Sequence, residues 1–289
     1  MKSLIHALLH ALSVFLLLIL FTVFLQHLRR GSSETALMGQ RTKIVSIEQQ
    51  NVKSYLEKTA DFFHRLKEFH HWKTLRGSSV IEQVVSALKI TLLLVIVSFL
   101  ISIFWAGLLI FLAHHYTFLR NFITQLVSAI NTTPIFILGI FLIYVFSFLL
   151  NLLPAGGDDA LIAYILPSMA LALKSGGRFF ILISEHLQAL EQANFIINAR
   201  ARGLSHNRVL LHQLAACRNS TLSFWFIELA GLFSGAVIIE TLFSVHGLGN
   251  LLIFSLMQYD LLLLFTTLLV VSIFVLFSNL LQAQLKPVE

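Results

Sequence analysis

Six stretches of about twenty apolar residues constrain this chain more than any other feature. A helix needs roughly 20 mostly apolar residues to cross a bilayer, where each backbone polar group must be satisfied inside the element itself. The stretches run from Leu4 to Leu25, Ile90 to Leu112, Pro134 to Leu153, Leu161 to Ile183, Phe224 to Phe243 and Leu261 to Leu281. Only 12% of the 289 residues are charged, against roughly 25% in a soluble domain. The pattern therefore predicts an all-α membrane protein with six transmembrane helices. The first stretch follows only Lys2 and has no small-residue cleavage site, so it reads as a retained anchor. The lone Cys217 excludes an internal disulfide and a cysteine metal cluster. The net charge of +6 does not point to nucleic acid, because loop arginines and lysines of membrane proteins report orientation.

Short loops set the expected sidedness. Loop 113–133 carries Arg120, and loop 184–223 carries Arg200, Arg202, Arg208 and Arg218. Loop 154–160 carries only Asp158 and Asp159, and loop 244–260 only Asp260. The positive-inside rule then places both termini and loop 184–223 in the cytoplasm. The organisation reads as a first transmembrane helix over 1–27, an extracytoplasmic region over 28–89, and a core of five transmembrane helices over 90–289. Region 28–89 is basic, yet long enough that the rule loses force there. Its Val52, Tyr55, Leu56, Phe62, Phe63 and Leu66 fall near helical spacing, which predicts one or two amphipathic helices on the outer mouth of the bundle.

One segment, "NARARGLSHNRVLLH" at 198–212, is as polar as a soluble protein. The preceding "EHLQALEQANFIINARAR" favours helix, and Gly203 is a natural stop in a left-handed conformation. Ser205 is placed to cap a second short helix, whose Val209, Leu210, Leu211 and Leu214 form an apolar patch. Two helices meeting at a glycine elbow make a knob with basic and apolar faces, suited to docking another protein at the membrane surface.

This pattern resembles the cytoplasmic "EAA" loop of ABC-importer permeases of the dipeptide/oligopeptide/nickel family. Ala199, Arg200, Ala201, Gly203, Leu204, Ser205, Val209, His212, Arg218 and Asn219 stand in step with it. Further ordered matches are "NTTPIF" at 131–136, with Pro134 in the family's span-opening Pro-x-Phe, "LLPAGG" at 152–157, "YILPSMALAL" at 164–173 and "GAVIIETLFSVHGLG" at 235–249. The chain departs from the family wording at "RRGSSE" after the first span, at His246 and Ser223 where proline is usual, and at Ile197 in the loop's glutamate position.

The resemblance implies a type I ABC-importer permease fold with a small extracytoplasmic region after the first helix. It implies a permease subunit in the bacterial cytoplasmic (inner) membrane, without ATPase activity of its own. Partner ATP-hydrolysing subunits would bind ATP and Mg, and this chain would carry no cofactor and no catalytic residue. A second permease subunit, identical or related, an extracytoplasmic substrate-binding protein and membrane lipid are the other implied partners. The coupling contact falls on Ala199, Arg200, Arg202, Gly203, Leu204, Ser205 and Leu210. Peptides are the default cargo, with nickel, metal–chelator complexes or antimicrobial peptides as the alternative. The chain has no GxxxxGK[ST] phosphate loop, in keeping with hydrolysis elsewhere.

Two acidic residues fall in the apolar spans, where a charge costs roughly 2.5–3.5 kcal/mol on insertion scales. Glu240 lies near the outer end of the fifth span. It reads either as part of the gate or translocation path, together with Pro134, or as a structural partner for the amides of the next turn. Glu228 is expected to cap that span or meet the inner loop. His70-His71 and His114-His115 lack zinc-type spacing and read as solvated interfacial pairs, so no metal site is expected. Neither HExxH nor GxSxG occurs in the spans, which speaks against an intramembrane enzyme. A stand-alone channel or secondary transporter would leave the knob unexplained.

Overall fold

The computed structural model describes residues 73, 74, 77–157, 160–258 and 260–285, together with positions 13 and 17. The first predicted span, apart from helical Ser13 and Leu17, lies outside the described residues, as do the predicted helices of 28–72, His70, His71, Asp158 and Asp159. The described secondary structure is helical, apart from an isolated antiparallel bridge between Lys73 and Ser79.

Helix α1, Val80–His115, is 36 residues long. At 1.5 Å per residue it measures about 54 Å, well beyond the roughly 30 Å hydrocarbon core. It starts at Val80 rather than at the expected Ile90. A hydropathy window misses the first turns because Glu82, Gln83 and Lys89 dilute them, yet Val80, Val84 and Ala87 keep a buried face. Ser79 and Glu82 stand at capping-box spacing, and the Glu82 amide donates to Ser79 Oγ at 3.4 Å.

The stretch 113–133, expected as a loop, contains helix α2, Thr117–Thr132. Its Ile123 and Val127 are buried with Leu109, Ile110 and Phe180, so a one-sided apolar stripe holds a helix too polar to look like a span. Pro134 follows at φ −55° and ψ 141°, after an extended Thr133. Proline disfavours helix in the residue before it, and the chain bends there by 106°. Helix α3, Ile135–Leu142, then continues as a wider π turn over Ile143–Leu149.

A short 3₁₀ turn, Leu161–Tyr164, leads into helix α4, Ile165–Leu190. Two short helices follow, α5 at Asn194–Ala201 and α6 at His206–Ala216. Helix α7 spans Arg218–Leu242, α8 Leu248–Met257 and α9 Leu261–Leu285. Four described helices are long and apolar enough to cross a membrane, or five when the bent pair of α2 and α3 counts as one span.

The chain divides into two compact units. One comprises the chain up to Lys89 with Leu251–Ile273, the other Ile90–Asn250 with the stretch from Phe274 onward. In the first, Asp260 is buried and its Oδ1 accepts from the Leu263 amide at 3.2 Å, an N-cap for α9. The second has a core of Leu94, Leu142, Leu166, Leu171, Phe233 and Ile239, drawn from α1, α3, α4 and α7. Close approach there depends on Gly176 and Gly177 of α4. A Cβ on Gly176 would lie 2.9 Å from the Ser102 carbonyl oxygen of α1, and one on Gly177 would lie 3.0 Å from the Asn131 amide of α2. Adjacent positions on a helix point about 100° apart, so the pair admits a neighbour on each of two faces.

Candidate functional site

The knob predicted from 198–212 is two helices joined by a helix-stop motif. Gly203 has φ +75°, a left-handed backbone that side-chain-bearing residues rarely adopt. The Leu204 amide donates to the Ala199 carbonyl at 3.2 Å and the Gly203 amide to the Arg200 carbonyl at 2.9 Å. This pairing is the Schellman arrangement, which satisfies the last carbonyls of α5. A Cβ on Gly203 would meet nothing within 4 Å, so its requirement there is conformational rather than steric. Ser205 occupies the N-cap position of α6 in an extended conformation, but its side chain makes no capping bond. Its carbonyl instead accepts from Val209 at 3.1 Å.

Val209 and Gln213 turn one face of α6 inward, and the Gln213 amide nitrogen donates to the Leu187 carbonyl of α4 at 3.3 Å. Leu210 is half-buried and lines an apolar groove of about 430 Å³ with Phe179, Leu214 and Trp225. The large apolar side chains that this segment exposes are Phe195, Ile197 and Leu211. Leu204 and Ala199 are half-buried, and Arg200, Arg202 and Ser205 are exposed. The outer face of the knob is therefore mixed basic and apolar, with Leu211 rather than Leu210 as its prominent leucine. Helical phase decides this: Leu210 neighbours the buried face set by Val209 and Gln213, and Leu211 is turned a further step away.

Glu240 and Pro134 do not come together. Pro134 is exposed at the elbow between α2 and α3. Glu240, fully buried near the end of α7, accepts from the Thr91 hydroxyl at 2.6 Å, the Gly249 amide at 2.7 Å and the Asn250 amide at 3.3 Å. Thr91 Oγ in turn accepts from the Leu248 amide at 2.8 Å. The carboxylate thus stands at the N-terminus of α8, where the first amides lack intrahelical partners and an anion is favoured. Gly247 and Gly249 belong to the same device, because a Cβ on Gly247 would collide with the Glu240 carboxylate and one on Gly249 with the Val237 backbone. The "GLG" of the turn is the space that Glu240 occupies. Thr91 was not legible in the sequence, where it is one small polar residue in an apolar run.

Glu228 corrects an expectation. It neither caps α7 nor meets a loop, since α7 begins ten residues earlier at Arg218. The helix starts early because "RNSTLS" is polar without being helix-breaking. Glu228 is buried, and its Oε2 lies 2.8 Å from Arg178 Nη2 and accepts from Ser175 Oγ at 2.9 Å. The signal was available: Arg178 is a basic residue inside the fourth apolar stretch, and a charge there needs a partner. The Lys174 ammonium, one turn earlier, donates to the Thr133 carbonyl at the elbow before Pro134.

His114 and His115 end α1, and His114 stacks on His206 of the knob with ring centroids 3.8 Å apart. Among the described residues no group of three His, Cys, Asp or Glu could hold a metal ion. Cys217 is buried, and burial pushes its thiol pKa up, the opposite of what a nucleophile needs.

Comparison with known proteins assigns this architecture. The chain is 26% identical over 275 residues to the nickel import system permease protein NikB of Staphylococcus aureus strain bovine RF122 / ET3-1, covering 90% of this chain and 81% of that one. The NikB of strain USA300 matches to the same extent. Residues 98–287 match the family model for the binding-protein-dependent transport system inner membrane component. Spanning helices, a knob closed by a glycine stop, and a family match over about two thirds of the chain agree, and the chain belongs to the binding-protein-dependent transport system inner membrane components, the permease subunits of ABC importers.

Proposed function

We propose that this permease subunit passes the closure of a separate ATP-hydrolysing subunit to its spans through 199–211, moving cargo by alternating access. The observation that carries this reading is the Gly203 elbow, which fixes α5 against α6 and leaves a mixed basic and apolar face outward. Arg202 meets acidic groups of the ATPase subunit or lipid phosphates at its rim, and Leu204 and Leu211 supply apolar contact. Alternating access needs two packed states of the bundle, with ATP binding favouring one of them. ATP and Mg stay with the partner subunits. A second permease subunit completes the pathway, and an extracytoplasmic binding protein delivers the cargo. Both termini and the knob face the cytoplasm, with 28–89 outside.

For the cargo, nickel or a nickel–chelator complex is the reading supported by the NikB relatives. Peptides are the second reading, supported by the motif spacing shared across the dipeptide and nickel branch. The test is the complete transporter, purified through this subunit and reconstituted in liposomes with its binding protein. ATP-dependent accumulation of radioactive nickel, with or without a chelator, but not of labelled dipeptide supports the nickel reading. Dipeptide uptake without nickel uptake reverses it. Recovery of this subunit without any ATPase subunit refutes the coupling role.

A further inference from the structure

Where the knob joins the bundle, the structure holds a small polar cavity of about 160 Å³. Its walls carry Arg120 from α2, Arg200 from α5, His114 from α1 and His206 from α6, with Ser184, Gln188 and Gln213 as neutral polar groups. Among the described residues no ion pair joins either arginine, or Glu191, the carboxylate on the same wall. His114 Nε2 is buried and has no hydrogen-bond partner there. The imidazoles of His114 and His206 are held by stacking at 3.8 Å and by the contact of His206 Nε2 with the His114 carbonyl at 3.3 Å.

Two guanidinium groups face this cavity beside the buried imidazole nitrogen, and that nitrogen is a cost unless something satisfies it. Arginine offers planar donors that match the oxygens of phosphate, and a charge-assisted bond there is roughly twice as strong as a neutral one. The cavity is too small and too polar for an apolar cargo.

We propose that this cavity binds a phosphate-class oxyanion, held by Arg120 and Arg200 with His114 Nε2 as a further donor. The anion is either free inorganic phosphate or the headgroup of an anionic lipid, since polybasic sites at membrane surfaces attract both. It ties α5 and α6 to the ends of α1 and α2, and so sets the position of the knob. The inference does not depend on which solute is transported, nor on the knob contacting an ATPase.

The test uses the full chain, with the subunits that co-purify, in nanodiscs of neutral phosphatidylcholine, titrated with inorganic phosphate and followed by calorimetry. A second arm adds phosphatidic acid to the discs and measures lipid retained on the protein by native mass spectrometry. Either saturable phosphate binding or selective retention of phosphatidic acid is expected, and which of the two occurs identifies the source. Arg200→Gln and Arg120→Gln should each weaken the signal by about tenfold, as expected for losing one charge-assisted contact. Arg200 is exposed, so its replacement leaves the core intact. Arg208→Gln removes the same charge from α6 at a residue outside the cavity lining, and should leave the signal unchanged. Absence of binding in both arms, or equal loss in Arg208→Gln, overturns the proposal.

Discussion

Replacing Glu240 tests how the turn between α7 and α8 is held. Glu240→Ala removes the acceptor for the Thr91 hydroxyl and for the Gly249 amide, both buried, and for the half-buried Asn250 amide. A buried donor left unsatisfied costs about 1–3 kcal/mol, and bonds to a charged acceptor about 1.5–3 kcal/mol each. Counting the two short bonds fully and leaving Asn250 to water gives a loss of about 3–6 kcal/mol. Glu240→Gln keeps the shape and one carbonyl oxygen but turns an NH₂ toward a donor, and should lose about half as much. The assay is reversible unfolding of the purified subunit in detergent, with hydrogen exchange at 248–250 as a local readout. Glu185→Gln, an exposed carboxylate on α4, is the control and should behave as wild type. A Glu240→Ala penalty below about 1 kcal/mol, with unchanged protection of the Gly249 amide, would refute the reasoning. Loss of uptake by Glu240→Gln in a protein of unchanged stability would instead place the carboxylate in the gate.

Gly203→Val puts a β-branched residue at φ +75° and should abolish substrate-stimulated ATP hydrolysis while the spans still insert; normal turnover would remove the knob from coupling. A double-mutant cycle of Arg178→Met and Glu228→Gln should show a coupling energy of about 1–2 kcal/mol, below the 3–5 kcal/mol of a fully buried pair. The reduction follows because Arg178 is 37% exposed, and additive effects would mean the pair is solvated. Maleimide added from outside should label Ser54→Cys and miss Ser205→Cys, with the reverse overturning the assigned orientation. The buried Cys217, its thiol pKa raised by burial, should contribute little background at neutral pH.

The four spans on α1, α4, α7 and α9 and the stop at Gly203 were legible in the sequence because they depend on local quantities. Transfer of an apolar run out of water needs no knowledge of its neighbours, and only glycine takes a positive φ without cost. Local polarity misled where a stripe rather than an average mattered. Arg120, Asn121 and Gln125 made 113–133 look like a loop, although Ile123 and Val127 pack it as a helix. What a polar group inside the bundle does was decided by tertiary structure alone. Thr91 meets Glu240 across 149 positions, His206 reaches the His114 carbonyl across 92, and Arg178 finds Glu228 across 50. The cost of burying each of these groups depends on whether a partner arrives from another helix, and folding alone brings that partner. The sequence could show that Glu240 needed a partner; the packing of α1, α7 and α8 determined that the partner is a helix N-terminus and a threonine.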